Sequence, residues 1–120
     1  MPDGSQSEKE AGATKIVELL YFDGCPSYEA LLPRLRGLLE EAGCGDALTL
    51  KRVESESEAM EERFLGSPTL RVGGEDIDPG AADRTDFGLK CRLYRTEAGL
   101  EHLPPDDWIT TALERSEQHG

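Results

Sequence analysis

KIVELLYF, Lys15 to Phe22, runs straight into DGCPSYEALLPRLRGLLEEAG, Asp23 to Gly43. The first segment is short, dense in apolar residues and β-branched near its start. That pattern predicts a strand buried on both faces. Asp23-Gly24-Cys25-Pro26-Ser27 breaks the apolar run with turn residues. Ser27 is a suitable N-cap for a helix over Tyr28 to Ala42. Leu31, Leu32, Leu35, Leu38 and Leu39 would trace one face of it. Gly43 and Gly45 supply the stop. Pro33 falls inside this helix, where it lacks a backbone donor and should kink the axis.

Outward from this unit the signals weaken. Ala47 to Val53 reads as a second strand, marked by Leu48, Leu50 and Val53. Ser55 to Phe64 reads as a charged helix, opened by Ser55 or Ser57 and closed at Gly66. Thr69 to Val72 is a third strand. Gly73-Gly74 makes a tight turn, and Asp76 to Asp78 extends the hairpin. Pro79 to Lys90 reads as a loop and Cys91 to Tyr94 as a fourth strand. Ala98 to Leu100 turns the chain toward a last helix, Asp106 to Glu114. Trp108, Ile109, Ala112 and Leu113 form its inner face. The predicted fold class is α/β, ordered β-α-β-α-β-β-α, with a central mixed sheet flanked by helices. Residues 15–115 form the domain. Met1 to Thr14 and residues 116–120 are polar and read as disordered tails.

The chain has 120 residues and a net charge of −12. That acidity argues against nucleic acid, whose affinity comes from Lys and Arg neutralising phosphates. It argues equally against anionic membrane surfaces. No apolar run reaches transmembrane length, and the polar N-terminus does not resemble a signal peptide, so a cytoplasmic location is expected. Three cysteines, Cys25, Cys44 and Cys91, are too few and too scattered for a secreted disulfide framework. Zinc-type Cys and His spacings are absent, and no cofactor or structural metal is implied. The carboxylates from Glu54 to Glu62 read as a solvated helix face.

Chemistry concentrates at Gly24-Cys25-Pro26-Ser27-Tyr28. A thiol just ahead of a helix meets its free N–H groups and partial positive charge. Those favour the thiolate, the reactive form. The site resembles that of the thioredoxin-like superfamily in three respects. It follows a buried opening strand. Pro33 lies eight residues after Cys25, where thioredoxins carry a kinking proline. Ser67-Pro68-Thr69 precedes a strand and looks like the superfamily's cis-proline loop.

The resemblance spans roughly Lys15 to Leu113. It implies a cis Pro68 packed against Cys25, with the Ser67 backbone open to pair with a substrate. Pro26, Ser67, Pro68 and Thr69 would then contact the substrate, a thiol or disulfide that is either a protein or a small molecule. The departure is Tyr28, which stands where a thioredoxin has its second cysteine. Release of a mixed disulfide by a local thiol is therefore missing. An external thiol such as glutathione, or Cys91, would have to resolve Cys25. Cys91 is predicted on a strand near the cis-proline strand, with Arg92 on the opposite face.

The pair Cys25 and Cys91, with SPTLRV (Ser67 to Val72) between them and Pro104-Pro105 ahead of the last helix, carries a narrower resemblance to small bacterial thioredoxin-like proteins related to the catalytic domain of alkylmercury lyase. It implies that Cys25 and Cys91 hold mercury or another soft metal ion. The family's proton-delivering aspartate falls at Tyr28, whose phenol titrates at about 10 and is a poor shuttle at neutral pH. Asp23 and Asp86 are the stand-ins. The candidate catalytic set is thus Cys25, Cys91 and Tyr28. Three functions stay open: thiol-disulfide exchange, soft-metal binding or carbon–mercury cleavage, and a redox-inactive interaction module. Cys44 reads as structural.

Overall fold

Val17 and Leu19 point to one side of their strand and Leu20 to the other, and all three are buried. This is why the opening segment is apolar without alternation. The computed structural model describes residues 16–119, so the predicted tail Met1 to Thr14 lies outside the described residues. The elements are β1 (Val17–Tyr21), α1 (Pro26–Glu41), β2 (Leu48–Arg52), α2 (Glu56–Glu62), β3 (Thr69–Val72), β4 (Glu75–Asp76), β5 (Tyr94–Thr96), β6 (Gly99–Glu101) and α3 (Asp106–His119). Single 3₁₀ turns occupy Gly45–Ala47 and Ala81–Asp83.

The fold is mixed α/β, with a four-stranded sheet in the order β2-β1-β3-β4. β1 runs parallel to β2 and antiparallel to β3, and β3 runs antiparallel to β4. On one face Val17, Leu19, Leu70 and Val72 meet Leu31, Leu35 and Leu39 of α1 and Ile109, Ala112 and Leu113 of α3. On the other, Leu20 joins Val53, Ala59 of α2 and Phe64. Helices therefore cover both faces of β1. Among the described residues no helix is long and apolar enough to cross a membrane.

Several predicted boundaries are corrected. The fourth strand expected over Cys91 to Tyr94 is not part of the main sheet. Tyr94–Thr96 instead pairs with Gly99–Glu101 as a separate hairpin. Cys91 makes only an isolated parallel bridge to Ser67. The next residue, Arg92, pairs with Asp76 and Asp78. The hairpin turn is closed by Thr96 Oγ1, which donates to Gly99 O at 3.0 Å and accepts from Ala98 N. Leu50 is 38% exposed, on β2 at the edge of the sheet. The last helix continues past Glu114 to His119, since Glu, Arg and Gln favour helix and no breaker intervenes.

α2 ends at Arg63 rather than Gly66. Arg63 adopts a left-handed backbone (φ 56), and its N–H reaches Ala59 O and Met60 O. The Arg71 guanidinium also bonds the Glu62 and Arg63 carbonyls, so the helix end is satisfied from β3. Gly73-Gly74 forms the expected tight turn, both with positive φ.

Gly66 has a different task. Its φ is +123, and a Cβ there would lie 2.9 Å from Lys90 O and 3.1 Å from Arg92 Cα. Both neighbours are backbone and cannot step aside cheaply. Gly66→Ala is expected to destabilise the protein by about 2–4 kcal/mol, from strain plus overpacking. The midpoint of urea unfolding would fall with its slope unchanged.

Candidate functional site

α1 begins earlier than expected, and the reason is Pro26. A proline at the first helical position has no N–H to satisfy and a φ already suited to the helix. The preceding residue therefore becomes the cap, and Cys25 rather than Ser27 takes that place. Cys25 Sγ accepts the Tyr28 backbone N–H at 3.4 Å. The sulfur thus sits where the first-turn N–H groups point. The same residue is only 1% exposed. Pro33 lies inside α1 as expected.

Tyr28, three residues after Cys25, does not present its ring as an independent group. It lies flat on Tyr21, with centroids 3.9 Å apart and an interplanar angle of 5°. Burial, reinforced by Tyr21, pushes its phenol above the ordinary value. The phenol therefore stays protonated through neutral pH.

The Ser67–Pro68 peptide bond is cis. The β1–β3 register ends with Leu20 opposite Thr69. One further step sets Pro68 across from Tyr21, at the end of β1 from which the Cys25 turn departs. The two predicted halves of the site therefore share one end of the sheet. The Ser67 backbone, however, is not open to a substrate. Ser67 N donates to Lys90 O at 2.8 Å, and Ser67 O accepts Arg92 N at 2.9 Å. The chain's own 90–92 segment occupies both groups. Ser67 is fully buried and its Oγ has no partner.

Thr69 is fully buried. Its buried hydroxyl donates to Gly66 O at 2.6 Å and accepts from Arg92. Pro26 is exposed at the start of α1.

Cys91 and Arg92 face opposite ways, as strand alternation predicts. Cys91 is exposed and Arg92 is buried. Arg92 makes a two-pronged contact with Asp76, at 2.8 and 3.0 Å. It reaches Asp78 at 3.3 Å and Thr69 Oγ1 at 3.0 Å. Its guanidinium also lies 4.4 Å from the centroid of the Tyr94 ring. The Tyr94 hydroxyl donates to Pro68 O. Residues 66–69 are therefore braced by one buried polar network. Sequence reasoning missed this network. Its only trace was the Asp76-Ile77-Asp78 alternation, which sets two carboxylates on one face.

No disulfide joins Cys25 to Cys91. Cys44 is buried in the core with α1 and α3. Among the described residues no group of three or more His, Cys, Asp or Glu could hold a metal ion. Asp86 is not a ready proton donor. Hydrogen bonds from Arg84, then Lys90, hold the Asp86 carboxyl far below the usual carboxylate range. Asp23 is solvent-exposed, with Arg52 at 3.8 Å. A groove of about 580 Å³ between Arg63, Arg71, Ile77 and Phe87 contains no cysteine. No protein-family model, no curated protein and no solved structure matches this chain.

Proposed function

We propose that this is a thioredoxin-like thiol protein in which Cys25 exchanges with disulfides. The observation that carries the reading is the Cys25 sulfur itself, which caps α1 and accepts a helix N–H. The β2-β1-β3-β4 order and the cis Ser67–Pro68 bond at the same end of the sheet support it. The Cys25 thiolate attacks one sulfur of a disulfide, RSSR. A Cys25–S–S–R bond forms, the original S–S bond breaks, and RS⁻ leaves with the electron pair. An external thiolate then attacks the mixed disulfide, giving a new disulfide and restoring Cys25. The burial of Cys25 requires local opening around the sulfur for either step.

Hydroxyethyl disulfide, followed by intact-mass analysis and peptide mapping, tests this. The expected product is a single adduct on Cys25 in a Cys44→Ser/Cys91→Ser background, absent when Cys25→Ser is added. Adducts confined to Cys91 in the parent chain would overturn the reading. A link between Cys25 and Cys91 would make Cys91 the resolving thiol.

The second reading is a redox-inactive interaction module. It is favoured by the 1% exposure of Cys25 and by the occupied Ser67 backbone. Failure of Cys25 to react in the folded chain would select it. No observation favours the soft-metal alternative over these two, since one thiol is buried and the other exposed.

A further inference from the structure

We propose that the disulfide taken by Cys25 is a small neutral or cationic molecule, with extended peptides and anionic disulfides disfavoured. The inference rests on the reading of Cys25 as the exchanging thiol and names its substrate class. In sheets with parallel strands, ligands collect in the crevice beyond the strands' carboxyl ends. β1 and β2 are parallel, and such a crevice lies at their ends. Phe22, Asp23, Arg52, Val53, Glu54 and Leu89 line it, and it holds about 360 Å³. That volume is at the low end of small-molecule sites. Phe22 and Asp23 of its lining lie three and two residues before Cys25, which is not itself a lining residue.

Its chemistry is two-sided. Phe22, Val53 and Leu89 belong to the apolar cluster around Leu20 and Phe64 and form an oily floor. The rim holds one guanidinium and two carboxylates. Arg52 pairs with Glu54 at 3.2 Å and with Asp23 at 3.8 Å. One cation shared by two anions leaves a negative rim. An anionic ligand would be repelled there, and a cationic one attracted.

At Ser67, beside the cis proline, the peptide route is closed by a separate feature. A peptide adding to the sheet needs unpaired main-chain N–H and C=O groups. At Ser67 both are already bonded to Lys90 and Arg92. Gly66 lets that segment approach so closely, and the buried Arg92 anchors it. A small disulfide needs neither backbone group.

The whole chain is acidic, so general attraction must be separated from the groove. The exposed Cys91 serves as the reference thiol in the same molecule. The reduced full-length chain would be treated separately with cystamine, hydroxyethyl disulfide, glutathione disulfide and a short neutral peptide disulfide. Adducts at Cys25 and Cys91 would be followed by mass spectrometry. The Cys25-to-Cys91 rate ratio is expected to be at least about fivefold higher for cystamine than for glutathione disulfide, shrinking in high salt. The peptide disulfide should label Cys25 more slowly than hydroxyethyl disulfide does. Asp23→Asn with Glu54→Gln should remove the charge preference at Cys25 and leave Cys91 as it was. A ratio equal for cystamine and glutathione disulfide, or a peptide reacting as fast as hydroxyethyl disulfide, overturns the substrate class. Absence of any Cys25 adduct with all four reagents overturns the thiol-exchange reading beneath it.

Discussion

Replacing Arg92 with alanine is expected to remove about 3–5 kcal/mol of stability, the usual consequence of breaking a buried ion pair from one side. The argument is one of compensation. Asp76 and Asp78 have side chains only 15% and 13% exposed, and Arg92 is their cation. Its loss strands two carboxylates in a poorly solvated place. It also removes the group over the Tyr94 ring and the bond to Thr69. A domain of this kind has only about 5–15 kcal/mol in total, so the urea midpoint should fall steeply. A loss below about 1 kcal/mol would mean that water reaches the network in solution and that it behaves as a surface pair. Arg92→Met combined with Asp76→Asn and Asp78→Asn should recover much of the loss, because no unpaired charge remains. The consequence reaches the site, since the same network braces Gly66 to Thr69.

The second large effect concerns Tyr28, three residues after the capping thiol. Tyr28→Cys is expected to shorten the life of a Cys25 mixed disulfide by at least about a hundredfold, as an intermolecular step becomes intramolecular. The introduced thiolate would attack the Cys25 sulfur and release RS⁻. A disulfide between Cys25 and the introduced sulfur remains, and an added dithiol would reduce it on each turnover. The backbone N–H of Tyr28 already touches the Cys25 sulfur. The substitution also removes the ring stacked on Tyr21, so Tyr28→Phe, which keeps a ring for the stack, is the control. Tyr28→Phe should leave the adduct as long-lived as in the parent. The decay of a hydroxyethyl adduct, followed by mass under dithiol-free conditions, measures both. Equal lifetimes in parent and Tyr28→Cys would show that Cys25 does not face its helix neighbour in the way the cap geometry requires.

Much of the architecture was legible because it is written in short-range periodicity. Val17, Leu19 and Leu20 of β1, Leu31, Leu35 and Leu39 of α1 and Ile109, Ala112 and Leu113 of α3 are buried as expected, while Leu32, Leu38 and Trp108 of the same expected faces are half-buried. Thr69–Val72 and the Gly73-Gly74 turn also stand where they were expected. The misread points share a cause. Ser27 looked like the cap because serine is a common one, but Pro26 moved the helix start toward Cys25. Gly66 looked like a helix stop, yet Arg63 ends α2 with help from Arg71 on another element. Leu50 looked like core, but it is exposed on β2 at the edge of the sheet.

The sequence by itself determined that a thiol stands between a buried strand and a helix, with a Ser-Pro-Thr loop feeding the strand beside it. Those are local facts, governed by side-chain alternation, helical period and the fixed φ of proline. Only the tertiary structure decided that the thiol is covered. It alone decided that the Ser67 peptide groups are already bonded and that Arg92 is the buried centre of the network behind Pro68. Each of those depends on partners distant in the chain, Ser67 with Lys90 and Arg92, and Arg92 with Asp76 and Asp78. A hydrogen-bonding group or a charge is satisfied by whatever folding brings beside it, and sequence spacing does not reveal which group that will be.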